Sequence, residues 1–438
     1  MHATTLASEC CDNMFSSCTS LVEAPELPAT TLAPYCYRNM FYNCPSLRKA
    51  PQLPATTLTR ECYSWMFANC TSLEEAPQLP ATSMNTRSYE QMFGNCKSLT
   101  NAPELPATTL APHCYYGLFS GCTSLTKAPK LPAMRLAESS YQLMFYNCTS
   151  LTEAPELPAT TLAENCYSNM FESCTSLKEA PQLPATTLAL RCYSRMFIGC
   201  KSLTKAPQLP ATTLAENSYY SMFESCTSLK EAPQLPATTL AAYCYSNMFF
   251  NCTSLTKAPE SLPAMEMKWY CCHQMFSGCT SLVNAPELPA TTLAAYCYGN
   301  MLYECKSLTK APELPATTLV SGCYTRLFSG CTSLTKAPEL PATTLVENSY
   351  FGMFNGCTSL TSFTFGDQSV FADSTNSLSQ MFIDCSKLSY IRILFDDRNG
   401  TGPREYANWT SNVAAQGTFV TNTDKWRRGV MAFPKVGM

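Results

Sequence analysis

The stretch "LPATTLAENCYSNMFESCTSLKEAPQ", Leu157 to Gln182, decides the fold because the chain repeats it. Displaced by 26 residues, the sequence returns close to itself again and again. The cysteine of the Cys-Thr-Ser-Leu motif is the clearest ruler. It stands at 18, 44, 70, 96, 122, 148, 174, 200, 226 and 252, then at 279, one residue late because Ser261 is inserted. It resumes at 305, 331 and 357 and closes at 385, giving fifteen copies, the last degenerate. A period in this range is the signature of a solenoid or array, whose units cannot bury an apolar face alone but can when stacked.

Each copy has two halves. In the first, Cys166, Met170 and Cys174 fall at i, i+4 and i+8, with Tyr167 and Phe171 beside them. That spacing predicts one apolar stripe on a helix of two to three turns. Thr161 and Glu164 fit a capping box at its start, and Pro34 and Pro112 fall where a first turn tolerates proline. The second half, "SLTKAPELPAT", places Leu203, Ala206 and Leu209 three apart, between prolines that exclude a helix interior. A short strand leading into a proline-bounded turn fits best. The fold expected is therefore an α/β repeat, a leucine-rich-repeat solenoid of about fifteen 26-residue strand–helix repeats with a C-terminal cap. The solenoid is expected over 1–360, and a degenerate last repeat with the capping segment over 361–438.

Composition narrows the function. The chain has 438 residues, of which 46% are apolar and only 14% charged, with a net charge of −3. No run of Lys or Arg favours a polyanion, so no nucleic-acid partner is expected. No stretch is long and apolar enough for a membrane-spanning segment. Met1–His2 replace the Leu-Pro of other copies and carry no leader pattern, which suggests a boundary cut into the array. The N-terminal end is then uncapped, and either upstream repeats or end-to-end self-association is expected there.

The unit "CYSNMFESCTSLKEAPQLPATTLA", with its Met-Phe-x-x-Cys-x-Ser-Leu core, resembles the BspA-like leucine-rich repeats of bacterial surface proteins, over roughly residues 1–390. The tail resembles the closing segment of that family at Gly417-Thr418-Phe419 and Trp426, with Phe433-Pro434 in place of Ile-Pro and no final Gly-Trp. The resemblance implies an extracellular or cell-surface protein of anaerobic bacteria, used in adhesion to host proteins and other cells. It brings no catalytic residues.

The 27 cysteines need an account. Fifteen form the column above, and ten form an earlier one from Cys10 to Cys323, where Ser takes the place at 88, 140, 218, 349 and 377. Cys11 and Cys272 stand where other copies carry Tyr. Columns of identical residues offer no natural disulfide pairing, and an odd total leaves one over. Zinc needs closer spacing or histidines, and only His2, His113 and His273 exist. Small buried thiols that pack and donate weakly fit best, and they suit a reducing setting.

Nothing points to an active site. Asp12 is the sole aspartate before Asp367, and there is no glycine-rich phosphate loop. The expectation is a non-enzyme with no cofactor and no metal. Binding would lie where copies differ. One row is charged in most copies and includes Lys205, Glu231 and Lys257; mixed signs there equally suit a plain solvated surface. The other half varies at Trp65, Tyr116, Arg195, Trp269, His273 and Arg326, residue types that anchor interfaces or pack half-buried. The leading expectation is a surface adhesin or protein-binding scaffold for host matrix or cell-surface proteins or glycans. The near-identity of copies favours a structural spacer stalk instead, and a phage or injection-machine fibre is a third reading. The irregular copy around Ser261, Met265, Met267, Trp269 and Cys272 favours the binder.

Overall fold

The structure, a computed structural model, describes residues 3–342, 344–365, 377–392 and 410–420. Met1–His2, Asp367, Trp426 and Phe433-Pro434, and with them much of the expected cap, lie outside the described residues. Two compact units form: Met1–Ala211 with Ser218–Ser228, and Thr212–Asn217 with Leu229–Met438. In each, successive copies stack on one another.

The expected helix is not what the first half becomes. Among the described residues this half is a run of turns in every copy. Within the copy from Leu157, alternate amides close local turns three residues back: Cys166 to Ala163, Ser168 to Asn165, Met170 to Tyr167, Glu172 to Asn169 and Cys174 to Phe171. The amides between them leave the copy. Asn165 donates to Leu190, Tyr167 to Cys192, Asn169 to Ser194, Phe171 to Met196 and Ser173 to Ile198, over 2.7–3.1 Å. An α-helix would commit every one of these amides to its own i−4 carbonyl and leave none for the neighbour.

The turns need a left-handed residue at every fourth place. Asn165, Asn169 and Ser173 have φ of 53°, 57° and 64°. Asn adopts this region more readily than most L-residues, and glycine without cost, which explains Gly117 (φ 57°) and Gly121 (φ 75°) at two of the corresponding places. A four-residue turn period puts Cys166, Met170 and Cys174 on one buried side, the same spacing that an i, i+4 helical stripe would show. Thr161 caps no helix; it makes a parallel bridge to Arg135.

The second half contributes isolated parallel bridges where strands were expected. Bridges form at the charged residue before Ala-Pro, as in Glu23↔Lys49 and Lys49↔Glu75, and at the second Thr of Ala-Thr-Thr, as in Thr57↔Ser83. Proline has no amide to donate, so the prolines flanking each bridge stop the ladder from lengthening. Among the described residues, true strands occur only near the C-terminal end. β1 (Ser362–Thr364), β2 (Tyr390–Arg392) and β3 (Thr418–Val420) form a parallel sheet in that order.

Between the halves lies the core. Met170, Phe171, Cys174 and Leu177 are all 0% exposed, and their counterparts form columns. Phenylalanines stack from Phe15 to Phe223 in the first unit with centroids 5.5–5.8 Å apart, and tyrosines from Tyr37 to Tyr219 at 5.7–5.9 Å. Near-parallel rings at these separations are offset, the arrangement that the ring quadrupole favours.

Substitutions at Asn169 separate the turn ladder from a helix. Asn169→Gly is about 1 kcal/mol more stable than Asn169→Ala, because both lose the Asn169 side-chain hydrogen bonds to Ser168 and Glu172 and only the alanine carries a β-carbon penalised at positive φ. In a helix the order reverses, with Ala stabilising and Gly destabilising. Urea unfolding midpoints of the two variants check this.

The Ser positions of the earlier cysteine column make a second test. The Oγ atoms of Ser88, Ser140, Ser218, Ser349 and Ser377 are buried without a hydrogen-bond partner. Burying an unpaired hydroxyl costs about 1–3 kcal/mol, so Ser140→Cys raises stability by about 1 kcal/mol in thermal unfolding.

Candidate binding surface

The cysteines of the Cys-Thr-Ser-Leu column are structural donors. The Cys44 thiol donates to the Phe15 carbonyl at 3.0 Å, Cys70 to Phe41 at 3.1 Å and Cys96 to Phe67 at 3.2 Å. The same bond recurs through Cys200 to Phe171 in the first unit and Cys385 to Phe354 in the second. Many of these carbonyls also accept the amide of their own copy's cysteine, as Phe15 does from Cys18 and Phe67 from Cys70. A thiol is small enough for the column and ties one copy to the one before it. Burial pushes Cys122 and Cys174 from the ordinary 9.0 up to about 12, so these groups stay protonated and unreactive.

The charged row sits on the proline-rich half. Opposite charges face one another at Lys127↔Glu153, Glu179↔Lys205 and Glu231↔Lys257, and the last pair closes to 3.8 Å. Lys205, Glu231 and Lys257 are exposed. Grooves run between consecutive proline-rich segments, one of about 460 Å³ along Glu23 to Pro54 and one of about 570 Å³ along Asn284 to Pro315.

The other candidates sit on the turn half, at several separate places. Trp65 is 37% exposed, edge-on to Tyr42 at 6.4 Å. Tyr116 is half-buried, its ring 5.9 Å from that of His113. Arg195 reaches Glu172 at 3.5 Å, and the Arg326 guanidinium lies 5.3 Å over the Phe351 ring. Near the N-terminus a charged ladder joins Asp12, Arg38 and Glu61, with Arg38 on Asp12 at 2.7 Å.

Trp269 and His273 are the two turn-half candidates brought together, and a residue missed in the sequence joins them. Tyr270 lies 5.0 Å edge-on from Trp269 and 5.1 Å from the His273 ring. It stacks on Tyr243 at 5.2 Å and on Tyr296 at 4.9 Å, its counterparts in the flanking copies. Trp269 is 52% exposed. His273 is half-buried, not exposed, and its Nε2 stands 3.4 Å from the Asn300 amide nitrogen. Burial holds this imidazole down at about 4, so it is neutral near neutral pH. Two glycines make the room: a β-carbon on Gly299 would meet His273 Cδ2 at 3.0 Å, and one on Gly322 would meet the Tyr296 ring at 2.3 Å. The readable signal was the Tyr preceding the cysteine in three consecutive copies, "AAYC", "KWYC" and "AAYC". Cys271 and Cys272 are both buried beneath this cluster's backbone turn, and among the described residues no three His, Cys, Asp or Glu side chains group to hold a metal ion.

The family model described as a BspA type leucine rich repeat region of 6 copies matches residues 5–126, 90–230, 138–282 and 269–389. Comparison with curated proteins found no match, nor did comparison with solved structures.

Thiol chemistry tests the ladder. Of the 27 cysteines only Cys10 and Cys18 are exposed, so a thiol reagent modifies two groups rapidly in the native chain and all 27 after denaturation. For a thiol such as Cys122 or Cys174, burial raises the folded pKa above the unfolded value. Its contribution is therefore complete below about pH 9 and is lost as the pH climbs from 9.0 towards about 12. Unfolding midpoints measured across that window fall steadily.

Proposed function

This chain belongs to the BspA type leucine-rich-repeat family, and from that membership we propose that it is a non-enzymatic cell-surface adhesin or protein-binding scaffold. Its partners are host matrix or cell-surface proteins or glycans, met outside the cell. The observation that carries the reading is the aromatic cluster of Tyr243, Trp269, Tyr270, His273 and Tyr296, an irregular patch on an otherwise uniform array. An exposed Trp backed by half-buried Tyr rings on rigid turns supplies a large contact area at low entropic cost, as hot-spot residues do. Stacked repeats present such a patch on a preorganised surface. Among the described residues no helix is long and apolar enough to cross a membrane.

A spacer stalk is the second reading. It is favoured by the near-identity of the copies, since alternating charges at Glu23↔Lys49↔Glu75 serve register without any ligand.

The test is retention of the purified chain on immobilised host matrix proteins and glycans at low and high salt, beside a Trp269→Ala, His273→Ala double variant. The adhesin reading expects saturable binding to a few ligands, weakened about tenfold or more in the variant. A folded, monodisperse chain that binds none of them is the result expected of a spacer.

A further inference from the structure

Three successive copies place a tyrosine where the backbone is left-handed: Tyr243 at φ 55°, Tyr270 at 52° and Tyr296 at 55°. The same place is left-handed in the other copies too, where it holds Asn165, Asn217, Asn348 or Gly322 but also Tyr35, Glu61, Arg87 and Arg191; what sets this region apart is three tyrosines in succession. The rings form a continuous strip, and Trp269 stands edge-on to two of them, 5.3 Å from Tyr243 and 5.0 Å from Tyr270. With the strip fixing one side of the indole, half of Trp269 is open to solvent.

The chemistry around the indole narrows the occupant. Lys268 is ion-paired with Glu266, so neither leaves a net charge on the patch. His273 and Asn300 supply a neutral hydrogen-bonding edge beside the rings. The tyrosine rings contact one another, leaving no slot between them for an inserted proline ring. An unpaired cation that would hold a phosphate backbone is absent among the described residues of the patch, and a chain of net charge −3 does not attract one. What fits is an uncharged ligand with a flat apolar face and hydroxyl groups along its rim.

We propose that Trp269, supported by the Tyr243–Tyr270–Tyr296 strip and flanked by His273 and Asn300, is a binding platform for a neutral glycan. One pyranose ring lies with its C–H face on the indole, and its hydroxyls meet the His273 and Asn300 edge. This rests on the reading of the chain as a surface binder and assigns the ligand class of its irregular copy.

The experiment is titration of the full chain with cellohexaose, lacto-N-neotetraose and a heparin oligosaccharide, followed by tryptophan fluorescence and calorimetry. The first two sugars separate a plant-type from an animal-type neutral glycan, and heparin is the charged control. The proposal expects saturable binding of at least one neutral sugar and none of heparin. Trp269→Ala weakens that binding about tenfold or more. Tyr270→Asn keeps the turn, which Asn occupies in other copies, yet weakens binding by removing the support. Met134→Ala, at an exposed side chain of the other unit, leaves it unchanged. All variants are checked for an unchanged thermal midpoint. No binding of either neutral sugar, equal binding by Trp269→Ala, or tighter binding of heparin overturns the proposal. If matrix proteins still retain the chain in that case, the adhesin reading stands without the glycan platform. If they do not, both fall.

Discussion

Everything in this molecule depends on how the peptide amides are divided. In the turn half of each copy, one amide closes a local turn and the next reaches the following copy, as Ser168 to Asn165 and Asn169 to Ser194 do. Local geometry and stacking are thereby satisfied by the same backbone, with no regular helix or strand. The constraint is severe, because every fourth residue must accept a left-handed conformation. Asn, Ser and Gly fill most of those places, and Asn and Gly adopt the conformation at the least cost.

The side chains follow from that backbone. Because each copy is displaced from the next along one direction, like side chains meet like, and columns form. In the first unit Phe on Phe and Tyr on Tyr stack at 5.5–5.9 Å, and thiols of the Cys-Thr-Ser-Leu column such as Cys70 and Cys122 find the phenylalanine carbonyl of the copy before. Identical stacking suits apolar and neutral groups but punishes like charges, which explains why Glu and Lys alternate at Glu23, Lys49 and Glu75. It also tolerates substitutions that leave a group unpaired, as with the Ser88 and Ser140 hydroxyls, since one defect is diluted among many good contacts.

Much of this was readable in the sequence. The period, the core positions at Met170, Phe171 and Leu203, and the neighbouring charged row all follow from spacing alone. The helix did not, because an i, i+4 stripe is common to a helix and to a four-residue turn run. The distinguishing mark was there in Asn165 and Asn169, and in Gly117 and Gly121, each pair four apart, residues that weaken a helix and ease a left-handed turn. Strands were expected where the flanking prolines permit only single bridges. At the candidate surface, Trp269 and His273 stood out as exceptions, whereas Tyr270 did not, since its role lies in contacts with Tyr243 and Tyr296 that are distant in sequence.

Far-ultraviolet circular dichroism of the intact, purified chain tests the central claim most directly. A backbone whose amides alternate between local turns and the next copy gives a turn-dominated spectrum without the paired minima of an α-helix, and that spectrum is what the account predicts. Strong helical minima would contradict it, and would return each Cys-x-x-x-Met-x-x-x-Cys segment to the helix that its spacing first suggested.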